Sequence, residues 1–149
     1  MSRVQLALNV PDIDDAVDFY SKLFATGPNK RKRGYANFAI ADPPLKLVLF
    51  ENPAAEGRLN HLGVEVFSTD DVADAQGRLT SDGVATVEAD GTCCFATQKK
   101  VWIDGPDGAW EIYTVLEDAE DFGLSTTRTV DADDSLCCAS VPEAEARCC

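Results

Sequence analysis

All six cysteines of this 149-residue chain stand in adjacent pairs, Cys93 with Cys94, Cys137 with Cys138, and Cys148 with Cys149. Neighbouring residues across a trans peptide have Cα atoms about 3.8 Å apart, short of the usual disulfide range of about 4.4–6.8 Å, so an ordinary structural bridge within a pair is disfavoured. The spacing matches neither a secreted disulfide framework nor the C-x-x-C pattern of zinc sites and redox motifs. Two thiolates side by side do suit soft ions, and trivalent arsenic, cadmium, mercury and copper(I) are all soft enough to be held by them. One such pair could equally be two inert small hydrophobes; three pairs in one chain point to binding. The other isolated reactive group is His61, the single histidine. On a strand such a residue is more often a satisfied structural group than a ligand, so its neighbours decide.

Those neighbours are set by an internal repeat. "VQLALNV" at 4–10 alternates as a strand, and in "PDIDDAVDFYSKLF" Ile13, Ala16, Val17, Tyr20 and Phe24 recur at helical spacing. Two short strands follow, "YANFAIA" and "LKLVLFE". The order then recurs: strand "NHLGVEV", a helix in "STDDVADAQGRLTSDGV" capped by Ser68 or Thr69 and ended near Gly83, then "KKVWID", the turn "GPDG" and the strand "WEIYTVL". This predicts an α+β fold of two tandem βαβββ modules, at about residues 3–51 and 58–116, with one strand of the pattern hard to see. The first strands align at an offset of 56 and the last at 65. The nine residues gained lie around Cys93 and Cys94, which marks that insertion as functional.

The offsets set Gln5 against His61 and Lys46 against Glu111. Gln5 lies on the strand face opposite Val4, Leu6, Leu8 and Val10, and His61 and Glu111 lie on corresponding faces of their own strands. Packed about a pseudo-twofold, the modules form a concave mixed sheet in which Gln5, His61 and Glu111 converge. One imidazole, one carboxylate and one amide oxygen resemble the facial triad of non-haem iron, with positions left open for dioxygen and substrate. A fourth ligand is expected at Lys46, which cannot serve while protonated. The bland alternative for Gln5 and Glu111 is a strand edge facing water.

The remaining features limit partner and place. From Glu117 onward there are nine Asp or Glu against two Arg, net −7 of the chain's −13. This acidic segment, 117–149, lacks periodicity and large apolar residues, and is expected to be a disordered tail after one domain at 1–116. The net charge opposes nucleic-acid binding, and "KRKRG" at 30–34 reads as a solvated loop. No apolar run reaches a membrane span and the start "MSRVQLALNVPD" does not resemble a signal peptide, so a cytoplasmic protein is expected.

The duplicated module, the "NHLG" strand, the "PDG" turn and the "WEIY" strand resemble the vicinal oxygen chelate superfamily, which includes glyoxalase I and extradiol dioxygenases. Within it, "VQLALNV", "FYSKLF", "GYANFAIADPPLKLVL", "LNHLGVEV", "CC" and "KVW" are similar to the carbon-arsenic lyases, relatives of proteins described as cadmium-induced. The resemblance spans about 1–116. It implies that Gln5, His61 and Glu111 hold Fe(II), with dioxygen as co-substrate, and that Cys93 and Cys94 bind the arsenic of a trivalent organoarsenical. Cys137, Cys138, Cys148 and Cys149 would then be auxiliary arsenic-binding thiols. The family usually has one more residue between the "PDG" turn and the Trp-Glu pair, and commonly "QDKVW" where this chain has Gln98 to Trp102. Two other readings are a non-catalytic thiol protein that sequesters arsenite or cadmium, and a glyoxalase-like lyase using a metal as Lewis acid with four protein ligands. Closure of the site within one chain or across a homodimer with swapped modules is left open.

Overall fold

The computed structural model describes residues 2–123. Each module opens with a strand and a capped helix. Strand β1 (Arg3–Val10) leads into helix α1 (Ile13–Leu23), whose N-cap Asp12 accepts hydrogen bonds from the backbone N–H groups of Asp14 and Asp15, both at 2.9 Å. Strands β2 (Lys30–Lys32), β3 (Tyr35–Ile40) and β4 (Leu45–Glu51) complete the first module. The second repeats the order with β5 (Leu59–Glu65) and α2 (Thr69–Ser81), capped by Ser68, which accepts from the N–H of Asp71 at 3.0 Å. The two N-caps are 56 residues apart, as the first strands are. Then come β6 (Val87–Glu88), β7 (Gly91–Cys93), β8 (Ala96–Gly105) and β9 (Gly108–Asp118).

The strands form one mixed sheet in the order β2-β3-β4-β1-β5-β9-β8-β6, with β7 also paired to β8. β1 and β5 are antiparallel at the centre, β1 pairs parallel with β4, and β5 pairs parallel with β9. The order therefore mirrors itself about the β1/β5 seam, which is the pseudo-twofold expected of the repeat. On the convex side Ile13 and Val17 of α1 pack with Phe38, Ile40, Leu47 and Leu49. The concave side carries Ala7, Tyr35, Val48 and Phe50, with Phe95 and Phe122 against them.

The hard-to-see strand is β2, and it lies in the basic cluster read from sequence as a solvated loop. Three residues give no usable alternation, and charged side chains are what a sheet edge tolerates. Lys30 is not merely solvated: its Nζ donates to the Phe95 carbonyl at 2.7 Å and pairs with Asp118. With the Tyr35 and Phe95 rings 5.3 Å apart, this contact joins the edge of the first module to the β7–β8 turn of the second and curls the sheet. The extra length of the second module includes a broken edge, β6 and β7, instead of one strand. At the other boundary, β9 continues past Leu116 to Asp118, and Phe122 packs on Tyr35 and Phe50. Cys137, Cys138, Cys148 and Cys149 lie outside the described residues, as does most of the expected tail. Among the described residues no helix is long and apolar enough to cross a membrane.

Candidate metal and thiol site

The sheet brings Gln5, His61 and Glu111 together, each at most 9% exposed. Gln5 on β1 and Glu111 on β9 both stand opposite Gly63 of β5, and His61 lies two residues earlier on the same face. A side chain at 63 would fill the space between them: an added Cβ would sit 3.0 Å from Glu111 Cγ and 3.3 Å from Gln5 Nε2. The "GPDG" turn closes on the Gly105–Gly108 pair and delivers Glu111 directly to this point. The aligned Lys46 does not reach the triad. Gln5 pairs with Lys46 but Glu111 pairs with Gly63, not His61, so the offset of 65 is two residues off; a two-residue slip keeps the face. Lys46 instead faces Glu65, with Nζ 3.8 Å from Oε1.

A chain of amides fixes the histidine. The Gly57 carbonyl can only accept, so Asn9 presents its Nδ2 there at 3.2 Å and its Oδ1 to Asn60 Nδ2 at 3.0 Å. Asn60 Oδ1 is then left to accept from His61 Nδ1 at 2.7 Å, which puts the proton on Nδ1 and leaves Nε2 as a lone-pair donor. His61 Nε2, Glu111 Oε1 and Gln5 Nε2 form a triangle with edges of 3.0, 2.6 and 3.2 Å. With Glu111 ionised, as Lys100 beside it favours, no placement of hydrogens satisfies all three edges. With a bare Nε2, nitrogen and carboxylate lone pairs face each other; with a protonated Nε2, it opposes the amide N–H; with the amide turned round, its oxygen meets the carboxylate oxygen. A cation removes the conflict once the amide turns its oxygen inward, and the Tyr113 hydroxyl that now donates to Gln5 Oε1 can accept from the amide instead. Ligand edges of about 3.0 Å are also those of a six-coordinate first-row metal with bonds of about 2.1 Å. The residues present therefore fit a metal. Among the described residues no three of His, Cys, Asp and Glu form a cluster; the third member here is a carboxamide.

Cys93 ends β7, and Cys94 with Phe95 makes the two-residue turn into β8. Adjacent side chains in a strand point to opposite faces, yet the two Sγ atoms lie 3.0 Å apart, as reduced thiols. The turn makes this possible. Cys94 and Phe95 have φ of +56° and +61°, the pair of left-handed conformations that a tight hairpin requires and that Asn-Gly normally supplies. Non-glycine residues held there are strained by about 1 kcal/mol or more each, and such strain concentrates at functional sites. Packing of Phe95 on Tyr35 and Phe122, at 5.3 Å each, holds the turn.

Lys100, 1% exposed, links the two groups: its Nζ donates to Glu111 Oε2 at 3.3 Å, its positive charge favours the Cys93 thiolate, and it lies 5.3 Å over the Trp102 ring. Burial alone would raise the Glu111 carboxyl, but Lys100 and the contacts with His61 and Gln5 outweigh it and hold the pKa at about 2. Burial likewise opposes charge on Lys100, and Glu111 with the two thiols more than offsets it, so the ammonium is favoured. The hydrogen bond from Cys94, aided by Lys100, lowers the Cys93 pKa, while the same bond and burial raise that of Cys94. Triad, thiols, Lys100 and the aromatic rings of Tyr35, Phe50 and Trp102 line one cavity of about 170 Å³. Sequence reasoning passed over Asn9, Asn60, Gly63, Lys100 and Tyr113 as site residues, although all five lie in stretches it had singled out.

A curled mixed sheet of paired modules around such a cavity defines a vicinal oxygen chelate protein. Residues 3–111 match the family model described as Glyoxalase/Bleomycin resistance protein/Dioxygenase superfamily, and the chain belongs to that superfamily. Cadmium-induced protein CadI of Mycobacterium tuberculosis is 60% identical over 142 residues, 93% of each chain. Trivalent organoarsenical cleaving enzyme of Thermomonospora curvata is 55% identical over 141 residues, 93% of this chain and 89% of that one. An extradiol ring-cleaving dioxygenase from B. fuscum shares the fold, with a TM-score of 0.55 at 19% identity over 79% of this chain and 34% of that one.

Proposed function

We propose that this protein is a cytoplasmic Fe(II)-dependent dioxygenase that cleaves the carbon–arsenic bond of trivalent organoarsenicals and releases arsenite. The observation that carries the reading is the hydrogen-bond conflict among Gln5, His61 and Glu111 in the same cavity as a converged thiol pair. The organoarsenical-cleaving relative at 55% identity supports the substrate class.

Gln5 Oε1, His61 Nε2 and Glu111 Oε1 would hold the iron, which supplies the one-electron chemistry that dioxygen needs to react with an organic molecule. The chain's own work is to bind and orient. Cys93, the more acidic thiol, attacks arsenic first and Cys94 follows; each forms one arsenic–sulfur bond and displaces one hydroxide, which leaves as water with the proton that thiol gives up. Lys100 keeps positive charge beside the growing thiolate and holds Glu111 in place. Two arsenic–sulfur bonds fix the third substituent, the carbon, toward the triad, and this positioning replaces a bimolecular encounter. For a methyl substrate the balance closes without an outside reductant: methylarsonous acid and one dioxygen give formaldehyde and arsenous acid, carbon losing four electrons and arsenic staying trivalent.

His61→Ala and Glu111→Ala should each abolish retention of Fe(II) under anaerobic dialysis while leaving a folded domain. Full iron content in either variant would remove the triad from the proposal. A sequestering thiol protein would give the buried triad and its amide chain no role. A four-ligand lyase would need a further donor, and Lys46 is engaged by Glu65.

A further inference from the structure

The two buried side-chain polar atoms without a hydrogen-bond partner among the described residues are both carboxamide oxygens, Asn37 Oδ1 and Gln98 Oε1. Both side chains line the cavity, and they are 4% and 7% exposed. They occupy matching places in the two modules. The β2–β3 turn closes at the Lys32–Tyr35 pair and Asn37 follows Tyr35 by two residues; the β7–β8 turn closes at Cys93–Ala96 and Gln98 follows Ala96 by two. A register shift between Thr97 and Gln98 marks a bulge, a device that re-aims a side chain beside active sites.

In each amide the nitrogen has a partner and the oxygen has none, and in Gln98 that orientation is fixed by the partner. Gln98 Nε2 donates to the Cys93 carbonyl at 3.3 Å, an atom that can only accept, so this amide cannot be reversed. Asn37 Nδ2 donates to the Tyr35 hydroxyl at 2.8 Å. Buried acceptors left without donors are costly and uncommon, and the last side-chain torsion of Asn and Gln is broad enough to bring either oxygen to a bound molecule. The cavity of about 170 Å³ has Tyr35, Phe50 and Trp102 in its walls. An apolar cavity of about 150 Å³ suffices for benzene, so a methyl group would fill little of this one.

On the carbon–arsenic cleavage reading, on which this inference rests, both hydroxyls of the arsenical have been displaced by Cys93 and Cys94. The bound arsenic then has no proton to donate, so the donor that satisfies the two amides belongs to the organic group. We propose that Asn37 and Gln98 are specificity-determining residues that select trivalent aromatic arsenicals carrying an amino or hydroxyl group on the ring over plain aryl or methyl arsenicals.

The test compares 4-aminophenylarsonous acid with its near-isostere 4-methylphenylarsonous acid. Binding to the anaerobic, iron-free protein is read by tryptophan fluorescence, and kcat/KM is then measured with Fe(II) and air. The amino compound should bind about tenfold tighter, with a similar ratio in kcat/KM. Asn37→Leu, which leaves the Cys93 carbonyl contact in place, should cut the ratio by about threefold, and Gln98→Met added to it should bring the ratio near one. Equal binding of the two compounds by the unaltered protein, or a ratio that survives Asn37→Leu, overturns the inference. Selective binding without cleavage of either compound keeps it and removes the dioxygenase reading. Cleavage of both at equal efficiency removes the inference alone, and absence of binding removes both.

Discussion

Replacing Gly63 with Ala should loosen the proposed metal site more than it loosens the fold. The new Cβ would lie 3.0 Å from Glu111 Cγ, 3.2 Å from the Glu111 carbonyl oxygen and 3.3 Å from Gln5 Nε2. Glu111 has little room to retreat, because its strand pairs on both sides and its Oε2 is held by Lys100 at 3.3 Å. Overpacking of this kind is worth about 1–3 kcal/mol, against which alanine recovers about 0.4–1 kcal/mol by stiffening the unfolded chain. The net destabilisation is then about 1–2 kcal/mol, a fall in Tm of about 3–8 °C for a domain of this size. Two of the three proposed ligands, however, must each shift by a few tenths of an ångström. Perturbations that disturb ligand placement typically weaken metal affinity about 10–100-fold. Thermal melts of the iron-free protein and an anaerobic Fe(II) titration separate the two effects. Unchanged iron affinity in Gly63→Ala would refute the claim that this glycine makes room for a metal held between Gln5 and Glu111.

Changing Cys93 and Cys94 together to Ser should weaken binding of trivalent organoarsenical and lower kcat/KM by about 100-fold or more while iron content stays normal, since positioning by two arsenic–sulfur bonds is lost; comparable turnover in the double variant would show that the pair is not the substrate site. Lys100→Met leaves Glu111 as a buried carboxylate without its cation, so urea unfolding of the iron-free protein at pH 7 should show a loss of about 3–5 kcal/mol. The sign with pH follows from the depressed Glu111 pKa: in the unaltered protein its stabilisation is present above the ordinary carboxylate range and is lost only as pH falls toward about 2. In the variant the carboxyl is raised by burial, so the gap between the two proteins should narrow as pH drops from 7 toward 4, and a gap that widens would contradict this account.

Much of the framework was legible because the repeat is written in long alternating strands and capped helices whose offset of 56 survives in the fold. The triad was legible for a related reason: Gln5, His61 and Glu111 keep the strand face that a period of two assigns them, even though the last-strand alignment was wrong by two residues. What escaped the sequence was whatever depends on pairing between strands. Gly63 has meaning only once β1 and β9 are known to flank β5, and Lys100 only once β8 is seen to bring it beneath both Glu111 and Cys93. The edge strand β2 escaped because three charged residues carry no pattern, and the convergence of the two thiols escaped because positive φ at Cys94 and Phe95 is not signalled by those residue types. The orphaned amides of Asn37 and Gln98 are likewise visible only as an accounting of donors and acceptors in three dimensions.

The most direct measurement is arsenic speciation after methylarsonous acid is incubated anaerobically with protein reconstituted with Fe(II), followed by admission of dioxygen. No arsenite should appear before oxygen is admitted; arsenite and formaldehyde should then form in equal amounts, one of each per dioxygen consumed, and iron-free protein should give neither product. Arsenite released at the same rate without oxygen, or without iron, would contradict the proposed reaction.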